Sequence, residues 1–386
     1  MPWLECSPVD LRIQFVAEWR IGVFTMTELC AQYGISRKTG YKWIDRSEHS
    51  GHSGLADRSR RPHQSPRATP AAVINAIVAV RHRHPTWGAR KVLAWLRRHD
   101  AARVWPGRTT VADVLARAGL TRERPRHPRV AYPAAPLAVV SAANDTWTLD
   151  FKGQFRMRDA TECFPLTLRD AFSRFVLRID ALPGTHGAPA HDRLRRAFLA
   201  YGLPRCIRTD NGSPFAGLGL AGLSRLAVWW IRLGITPERI EPGCPQQNGA
   251  HEQLHAVLQA ETVWPPAARL GVQQQRFVRF RRIYNTERPH EALQDRPPAD
   301  VYEPSPRTMP RRLPEIVYPG HFEIRRVASN GMVSWRNRDL FVTHVLAGEA
   351  IGFEPVDDGW WTIHFGHVIL GRYDERAGHV YDFDAE

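Results

Sequence analysis

Apolar positions between residues 8 and 22 recur at helical spacing, with Phe15, Val16 and Trp19 on one side. A second short helix fits Met26–Tyr33, with Thr25 as its cap and Gly34 as its stop. Ile35 is then an apolar turn residue. Ser36 caps a third helix through Tyr41, Trp43 and Ile44, with Tyr41 and Ile44 expected on the core side. Helical periodicity is lost over residues 47–70 and returns from Ala71 to Leu120. There Ile74, Ile77 and Val80 are followed by a break at His84–Trp87. Val92, Leu93 and Leu96 continue the pattern, and a last helix runs through Val114 and Leu115 to Gly119.

After the Pro/Ala-rich stretch 131–138 the period drops to two. In Thr146–Phe155, Trp147, Leu149 and Phe151 alternate with Thr148, Asp150 and Lys152, a strand with Asp150 opposite the apolar side. Strands at Thr161–Asp170 and Arg174–Ala181 would complete a meander. A helix over His191–Tyr201 should bury Leu194, Phe198 and Leu199. Arg205–Thr209 is a short strand that ends at Asp210, before the turn formers Asn211, Gly212, Ser213 and Pro214. A helix around Leu220–Gly234, a strand at Thr236, a helix over Gly249–Glu261 and another over Gln273–Tyr284 follow. Residues 297–314 are rich in Pro and Arg and read as a linker. Beyond them short strands at His321–Val327, Met332–Trp335, Asp339–Val345, Ala350–Pro355, Trp360–Phe365 and His367–Tyr373 read as a small β barrel. Asn330-Gly331 and Asp358-Gly359 mark its turns, and Trp335, Trp360 and Trp361 are expected in its core.

Charge changes this picture. The 386 residues carry a formal net charge of +14, from 53 basic and 39 acidic side chains. A polyanionic partner follows, with nucleic acid ahead of an anionic membrane. Arginine dominates so heavily, with only Lys38, Lys42, Lys91 and Lys152 as lysines, that host base composition is an alternative source of the bias. Clustering argues for function: residues 51–130 hold 17 Arg/Lys against 4 Asp/Glu, whereas residues 301–386 hold 9 against 13. The acidic balance makes the last domain a poor nonspecific DNA clamp and favours protein contacts there, unless Arg325, Arg326, Arg336 and Arg338 form a local basic face. The five scattered cysteines have no metal-ligand or CxxC spacing, which fits a reduced compartment. The start lacks a signal-peptide pattern, and no stretch is apolar enough to span a membrane. The expected location is the cytoplasm, at the nucleoid.

Helix, glycine turn, helix is the geometry of a helix-turn-helix. Its second helix carries Arg37, Lys38, Thr39, Lys42 and Arg46, placed to meet bases or phosphates in a major groove. An ordinary three-helix bundle with a solvated basic face is the competing reading. The following stretch, with Arg58, Arg60 and Arg61, suits a basic linker tracking a DNA backbone, and Arg90 and Lys91 fall in a second helical DNA-binding segment.

Asp150 on a first strand, Asp210 at the end of a parallel neighbour and Glu252 in a following helix would meet at one sheet end. Three such carboxylates suit hard divalent cations and phosphodiester chemistry. The chain has 39 acids, Asp170 and Asp180 among them, so strand-end residues with satisfied hydrogen bonds are the alternative. Glu252, His255, Ala256 and Gln259 share one face of their helix, and Leu254, Val257 and Leu258 another. His251 and His255 read equally as phosphate contacts or as structural residues, and no cysteine or third histidine makes them zinc ligands.

WTLDFKGQF around Asp150, IRTDNGSPF around Asp210, PGCPQQNGAHEQLH around Glu252 and YNTERPHEAL at 284–293 together resemble the retroviral-type integrase core of DDE transposases. The likeness is greatest to the IS481 insertion-sequence family, which also tends to carry pieces like GISRKTGYKW, GLADRSRRP and HPTWGARKV. It implies an α/β, RNase H-like core at 140–296, a helix-turn-helix domain at 1–50, a basic linker at 51–70, a second helical DNA-binding domain at 71–130 and an SH3-like β barrel at 315–386. It implies Asp150, Asp210 and Glu252 as catalytic metal ligands for two Mg²⁺ or Mn²⁺ ions. Asn211, Gln247 and Asn248 would shape loops or touch the DNA end, and Lys152 would touch phosphate. The implied partners are double-stranded DNA, as element terminal inverted repeats and target, and further copies of the chain on paired ends. The 41 residues between Asp210 and Glu252 are more than retroviral integrases usually have, an excess that an insertion near Gly217–Leu226 would absorb. A regulatory DNA-binding protein that keeps the fold without the chemistry is the alternative, as is a nuclease that cuts without joining.

Overall fold

The computed structural model describes residues 7–59, 68–121, 137, 139–217, 219–241 and 244–382. It divides into two units, residues 1–68 and 69–386.

The first unit contains helices α1 (Pro8–Ile21), α2 (Met26–Gln32) and α3 (Arg37–Ser50). Each starts where a side chain satisfies the orphan amides of a first turn. Ser7 with Asp10 and Thr25 with Glu28 form reciprocal capping boxes, and Ser36 Oγ accepts from the Thr39 amide at 3.3 Å. Phe15, Val16, Leu29, Cys30, Trp43 and Ile44 form the core. Gly40 is required there, since a Cβ would lie 2.7 Å from Cys30 Sγ and 2.9 Å from Met26 Sδ. With Gly40, Trp43, Ile44 and Ser47 inward, Tyr41 is 55% exposed rather than packed. The expected linker also starts late. Gly51–Leu55 is a 3-10 turn that sinks Leu55 into the helical core, held by Arg12 Nη1 donating to the Leu55 carbonyl at 2.8 Å.

In the second unit, α4 (Ala71–Arg83), α5 (Ala89–His99) and α6 (Arg108–Arg117) close around Ile77, Trp87, Val92 and Val111. The next domain is a mixed sheet of β1 (Thr146–Phe151), β2 (Phe155–Arg156), β3 (Glu162–Asp170), β4 (Val176–Leu182), β5 (Cys206–Thr209) and β6 (Thr236–Arg239). β3 pairs antiparallel with β1, β2 and β4, and β1, β5 and β6 run parallel. The expected β1–β3–β4 meander is present. β1 is central and covered on both faces, so Thr146 and Thr148 are buried as fully as Trp147 and Leu149.

Helices α7 (Gly187–Tyr201) and α8 (Arg225–Arg232) cover one face through Leu194, Phe198, Leu226 and Trp230. Leu199, expected inside, is 60% exposed. The helix expected from Leu220 begins only at Arg225, after a short 3-10 turn. Helices α9 (Gly249–Leu258) and α10 (Leu270–Thr286) cover the other face through Leu254, Leu258, Phe277 and Phe280. α9 passes into a π-helical turn at Gln259–Val263.

The Pro/Arg-rich stretch after α10 is not a free linker. Its backbone groups find partners on the core: the Ser305 amide donates to the Tyr201 carbonyl (2.8 Å) and the Leu203 amide to the Arg307 carbonyl (2.7 Å). Arg307 Nη1 reaches the Pro204 carbonyl at 2.7 Å, and Tyr302 donates to Asn144 Oδ1 at 3.0 Å. The strap passes so close to Gly202, whose φ is +77°, that a Cβ there would meet the Ser305 carbonyl oxygen at 2.5 Å.

The C-terminal part contains β7 (Glu323–Arg326), β8 (Met332–Trp335), β9 (Arg338–Phe341), β10 (Ala350–Asp357), β11 (Trp360–Phe365), β12 (Val368–Asp374) and β13 (His379–Asp382). All six expected strands are present, and β13 is additional. Their antiparallel ladders give a five-stranded sheet, β13-β12-β11-β10-β7, and a separate β8–β9 hairpin. The hydrogen-bonded paths do not close into a barrel among the described residues. Trp335 is core, but Trp360 lies at the surface, 37% exposed. Of the four arginines that could form a local basic face, Arg325 pairs with Glu323 and Arg336 with Glu375, while Arg326 and Arg338 donate to the Gly348 and Glu375 carbonyls.

Candidate active site

The register of the sheet sets the site. Asp150 is the penultimate residue of β1, opposite Thr167 on β3, and Asp210 follows the last residue of β5. Because β1 and β5 are parallel neighbours, both aspartates leave the sheet at the same end. Glu252 stands in the first turn of α9, on its exposed side. Burial raises the Asp150 carboxyl pKa to about 7, helped by the negative charges of Asp210 and then Glu252. The charges of Asp210 and Glu252 thus both reach the Asp150 carboxyl.

Asn248, read from sequence as shaping the loop before α9 or touching the DNA end, donates to Asp150 Oδ2 at 3.1 Å. Gln247 accepts from the Glu241 amide at 2.7 Å and closes the loop before α9. Asn211 donates to the Ile240 carbonyl at 2.8 Å, tying the turn after β5 to β6, while the Gly212 amide donates to Asp210 Oδ1 at 3.2 Å. Lys152 is half-buried, and burial lowers its pKa.

His251 is fully buried, which overturns its reading as a phosphate contact. Its Nδ1 lies 2.8 Å from Thr148 Oγ1 and its Nε2 2.6 Å from Thr167 Oγ1. His255 Nε2 is 2.8 Å from the same Thr167 oxygen, and its Nδ1 faces Asp150 Oδ2 at 3.9 Å. Burial holds His251 well below the usual imidazole range and His255 at about 4, with the nearby cations Arg169 and Lys152 adding to it. Arg169, fully buried on β3, donates to the Ala250 carbonyl at 2.6 Å and pins the first turn of α9. Sequence reasoning passed over Thr148, Thr167 and Arg169. The available signal was polar residues at strand positions that carry apolar ones elsewhere.

Asp150, His251 and His255 bring ligand-type atoms within 4.8 Å of one another. The spacing along the chain gave no hint of this, because Asp150 comes from another element. His251 has both nitrogens engaged, so Asp150 and His255 are the available donors of this group. A buried carboxyl under repulsion from two others fits a divalent cation, which would relieve that repulsion.

The expected DNA-binding residues divide. Arg37, Lys38 and Lys42 are exposed on α3, Thr39 is tied to the Ser36 cap, and Arg58 is exposed. Arg12, Lys42 and Arg46 lie 4.0, 4.5 and 5.0 Å from the Trp43 ring centre, so Arg46 and Lys42 rest on the core as well as facing outward. Arg60 and Arg61 lie outside the described residues. Arg90 is paired with Asp295 at 2.9 Å and with Glu291, which joins α5 to the core and removes it from the free cations; Lys91 beside it is half-buried. No helix among the described residues is long and apolar enough to cross a membrane.

Comparison with known proteins bears on these features. A helix-turn-helix domain family matches residues 11–63, a homeodomain-like domain family residues 39–115 and an integrase core domain family residues 233–298, a span that includes Glu252. A 39.2 kDa protein of insertion element IS476 from Xanthomonas euvesicatoria is 32% identical over 46% of this chain and 50% of its own. A 31.7 kDa protein of IS407 from Burkholderia multivorans is 26% identical over 56% of this chain and 76% of its own. The chain thus spans half the length of the first of these relatives. Among solved structures, a simian T-cell lymphotropic virus intasome in complex with the PP2A regulatory subunit B56 gamma is similar over 75% of this chain and 97% of that one, with 16% identity and a TM-score of 0.38. The HTLV-2 integrase catalytic core domain in complex with magnesium is similar over 42% of this chain and 98% of that one, with 13% identity and a TM-score of 0.31. The chain thus carries matches to helix-turn-helix, homeodomain-like and integrase core domain families and is similar over part of its length to proteins of two insertion elements.

Proposed function

We propose that the chain is a DDE-type DNA transposase that cleaves the ends of a mobile element and joins the freed 3′-hydroxyl to target DNA. The observation that carries this reading is the Asp150 carboxyl, buried at the sheet end and pushed up to about 7 by burial and by Asp210 and Glu252. Three carboxylates that repel one another are costly unless cations join them. Two divalent ions, Mg²⁺ or Mn²⁺, would supply Lewis-acid stabilisation of the oxygens on either side of the reacting phosphorus.

In this reading Asp150, Asp210 and Glu252 hold that centre. Asn248 fixes one oxygen of Asp150, leaving the other lone pairs available. Lys152 sets a positive charge beside the scissile phosphate. In the first step water adds to phosphorus, the P–O3′ bond breaks and the 3′-oxygen takes up a proton. In the second step that 3′-hydroxyl loses its proton as it adds to a target phosphorus, and a target 3′-oxygen leaves. Arg37, Lys38 and Lys42 would read the terminal inverted repeats, and paired ends would be held by two or more copies of the chain. Action at the nucleoid follows from such a substrate.

The test is a labelled end fragment incubated with the full chain, a supercoiled plasmid and Mg²⁺ or Mn²⁺. Metal-dependent nicking followed by covalent joining to the plasmid is expected. Tight end binding without nicking would favour a regulatory DNA-binding protein, and nicking without joining a nuclease.

A further inference from the structure

We infer that His255 binds, through Nδ1, the divalent cation held by Asp150, so that the centre combines carboxylates with an imidazole. This rests on the transposase reading for the presence of the cation.

Proton counting on the Thr167 hydroxyl leads to it. Oγ1 lies 3.0 Å from the Asp150 carbonyl oxygen, 2.6 Å from His251 Nε2 and 2.8 Å from His255 Nε2. A hydroxyl has one proton, and a carbonyl only accepts. The Thr167 proton therefore goes to the Asp150 carbonyl, and its oxygen accepts N–H bonds from both imidazoles. A neutral imidazole protonated at Nε2 carries its lone pair at Nδ1. His251 uses that lone pair to accept from Thr148 Oγ1 at 2.8 Å, the shorter of that hydroxyl's two contacts, the Arg169 carbonyl lying 3.4 Å away. His255 Nδ1 has no hydrogen-bond donor facing it among the described residues, and it points toward Asp150 Oδ2 at 3.9 Å. Two donors each about 2.1 Å from one ion lie roughly 3–4 Å apart.

The helix supports the same assignment. Glu252 and His255 are three residues apart on α9 and share a face. This Glu-x-x-His spacing also aims a carboxylate and an imidazole at one metal centre in helical carboxylate proteins. Thr167 holds the far nitrogen of His255 as outer partners hold ligand histidines elsewhere. An added nitrogen donor shifts preference away from Mg²⁺ toward Mn²⁺ and later transition ions.

Pulsed electron paramagnetic resonance of the full chain loaded with Mn²⁺ tests this directly. Nitrogen-14 coupling from one imidazole is expected. It should persist in His251→Gln and vanish in His255→Gln, whose amide can still donate to Thr167. Mn²⁺ affinity should fall about 10-fold in His255→Gln, while Mg²⁺ affinity changes less. Mn²⁺ binding that depends on Asp150 but shows no nitrogen coupling overturns the His255 assignment and leaves the transposase reading standing. Coupling that survives in His255→Gln also overturns it. Mn²⁺ binding that is absent, or unchanged in Asp150→Asn, overturns both.

Discussion

The side-chain amide of Asn248 donates to Oδ2 of Asp150 at 3.1 Å, so the residue that introduces helix α9 also orients the carboxylate at the end of β1. One bond links two of the three elements that form the site. Substitutions at the carboxylates and at this support should therefore differ in severity. Asp150→Asn, Asp210→Asn and Glu252→Gln are each expected to reduce cleavage more than about 100-fold, and Asn248→Ala by about 10–100-fold, as for outer partners of metal ligands. End binding measured by gel shift should be nearly unchanged in all four. Full cleavage by any carboxylate variant would remove that residue from the catalytic role.

Thr167 is a shared node for the buried His251 imidazole, the half-buried His255 imidazole and a backbone carbonyl. Thr167→Val keeps the shape and removes the hydroxyl, leaving buried polar groups without partners. A loss of about 1–3 kcal/mol per unsatisfied group is expected in urea unfolding, with Thr167→Ser close to the parent. Equal stability of the valine and serine variants would show that the hydroxyl does not support the two imidazoles.

The DNA recognition proposed for α3 can be tested apart from the proposed chemistry by salt. Replacing Arg37 and Lys42 with Ala should weaken end binding and lower the slope of log K against log salt by about 0.9 for each phosphate no longer neutralised. Mn²⁺ affinity should not move. An unchanged slope would mean that this face of α3 does not meet the DNA backbone.

His290 sets an acid limit on stability. Burial, with the nearby Arg288 adding to it, holds its pKa at about 3, so the folded protein keeps it neutral where the unfolded chain protonates it. The unfolded state then binds more protons, and stability falls as pH drops from about 6.5 toward 3, by up to about 1.4 kcal/mol per pH unit for this one group. In His290→Asn, proton uptake on unfolding near pH 5 should decrease by about one. An identical pH slope in both proteins would rule this group out.

Much of the core was legible because its strands have distinct periodicity and its helices carry their own caps. Ser36 and Thr25 mark helix starts by local chemistry, and Asp150 and Asp210 stand at strand ends that turn residues reveal. Properties that depend on distant partners were not legible. Tyr41 and Gly40 are neighbours, yet a step of about 100° around the helix separates the buried face from the exposed one, and Cys30, Met26 and Phe15 decide which is which. His251 finds its hydroxyls 103 and 84 residues away, so no local pattern announces that it is internal. The segment around Ser305 and Arg307 has the composition of a linker. Only Gly202, which leaves room for its backbone, makes it a strap.

The hydrophobic core that includes Trp147 of β1 and Phe198 of α7 continues into Trp335, Phe353 and Tyr373 of the C-terminal strands. Domain limits drawn from composition therefore do not mark where the polypeptide can be cut. A fragment ending near residue 296 would leave one side of the β1–β6 layer wet and oily, and would be expected to clump. Engineering of this chain should keep the C-terminal sheet as part of the same body, not as a detachable accessory.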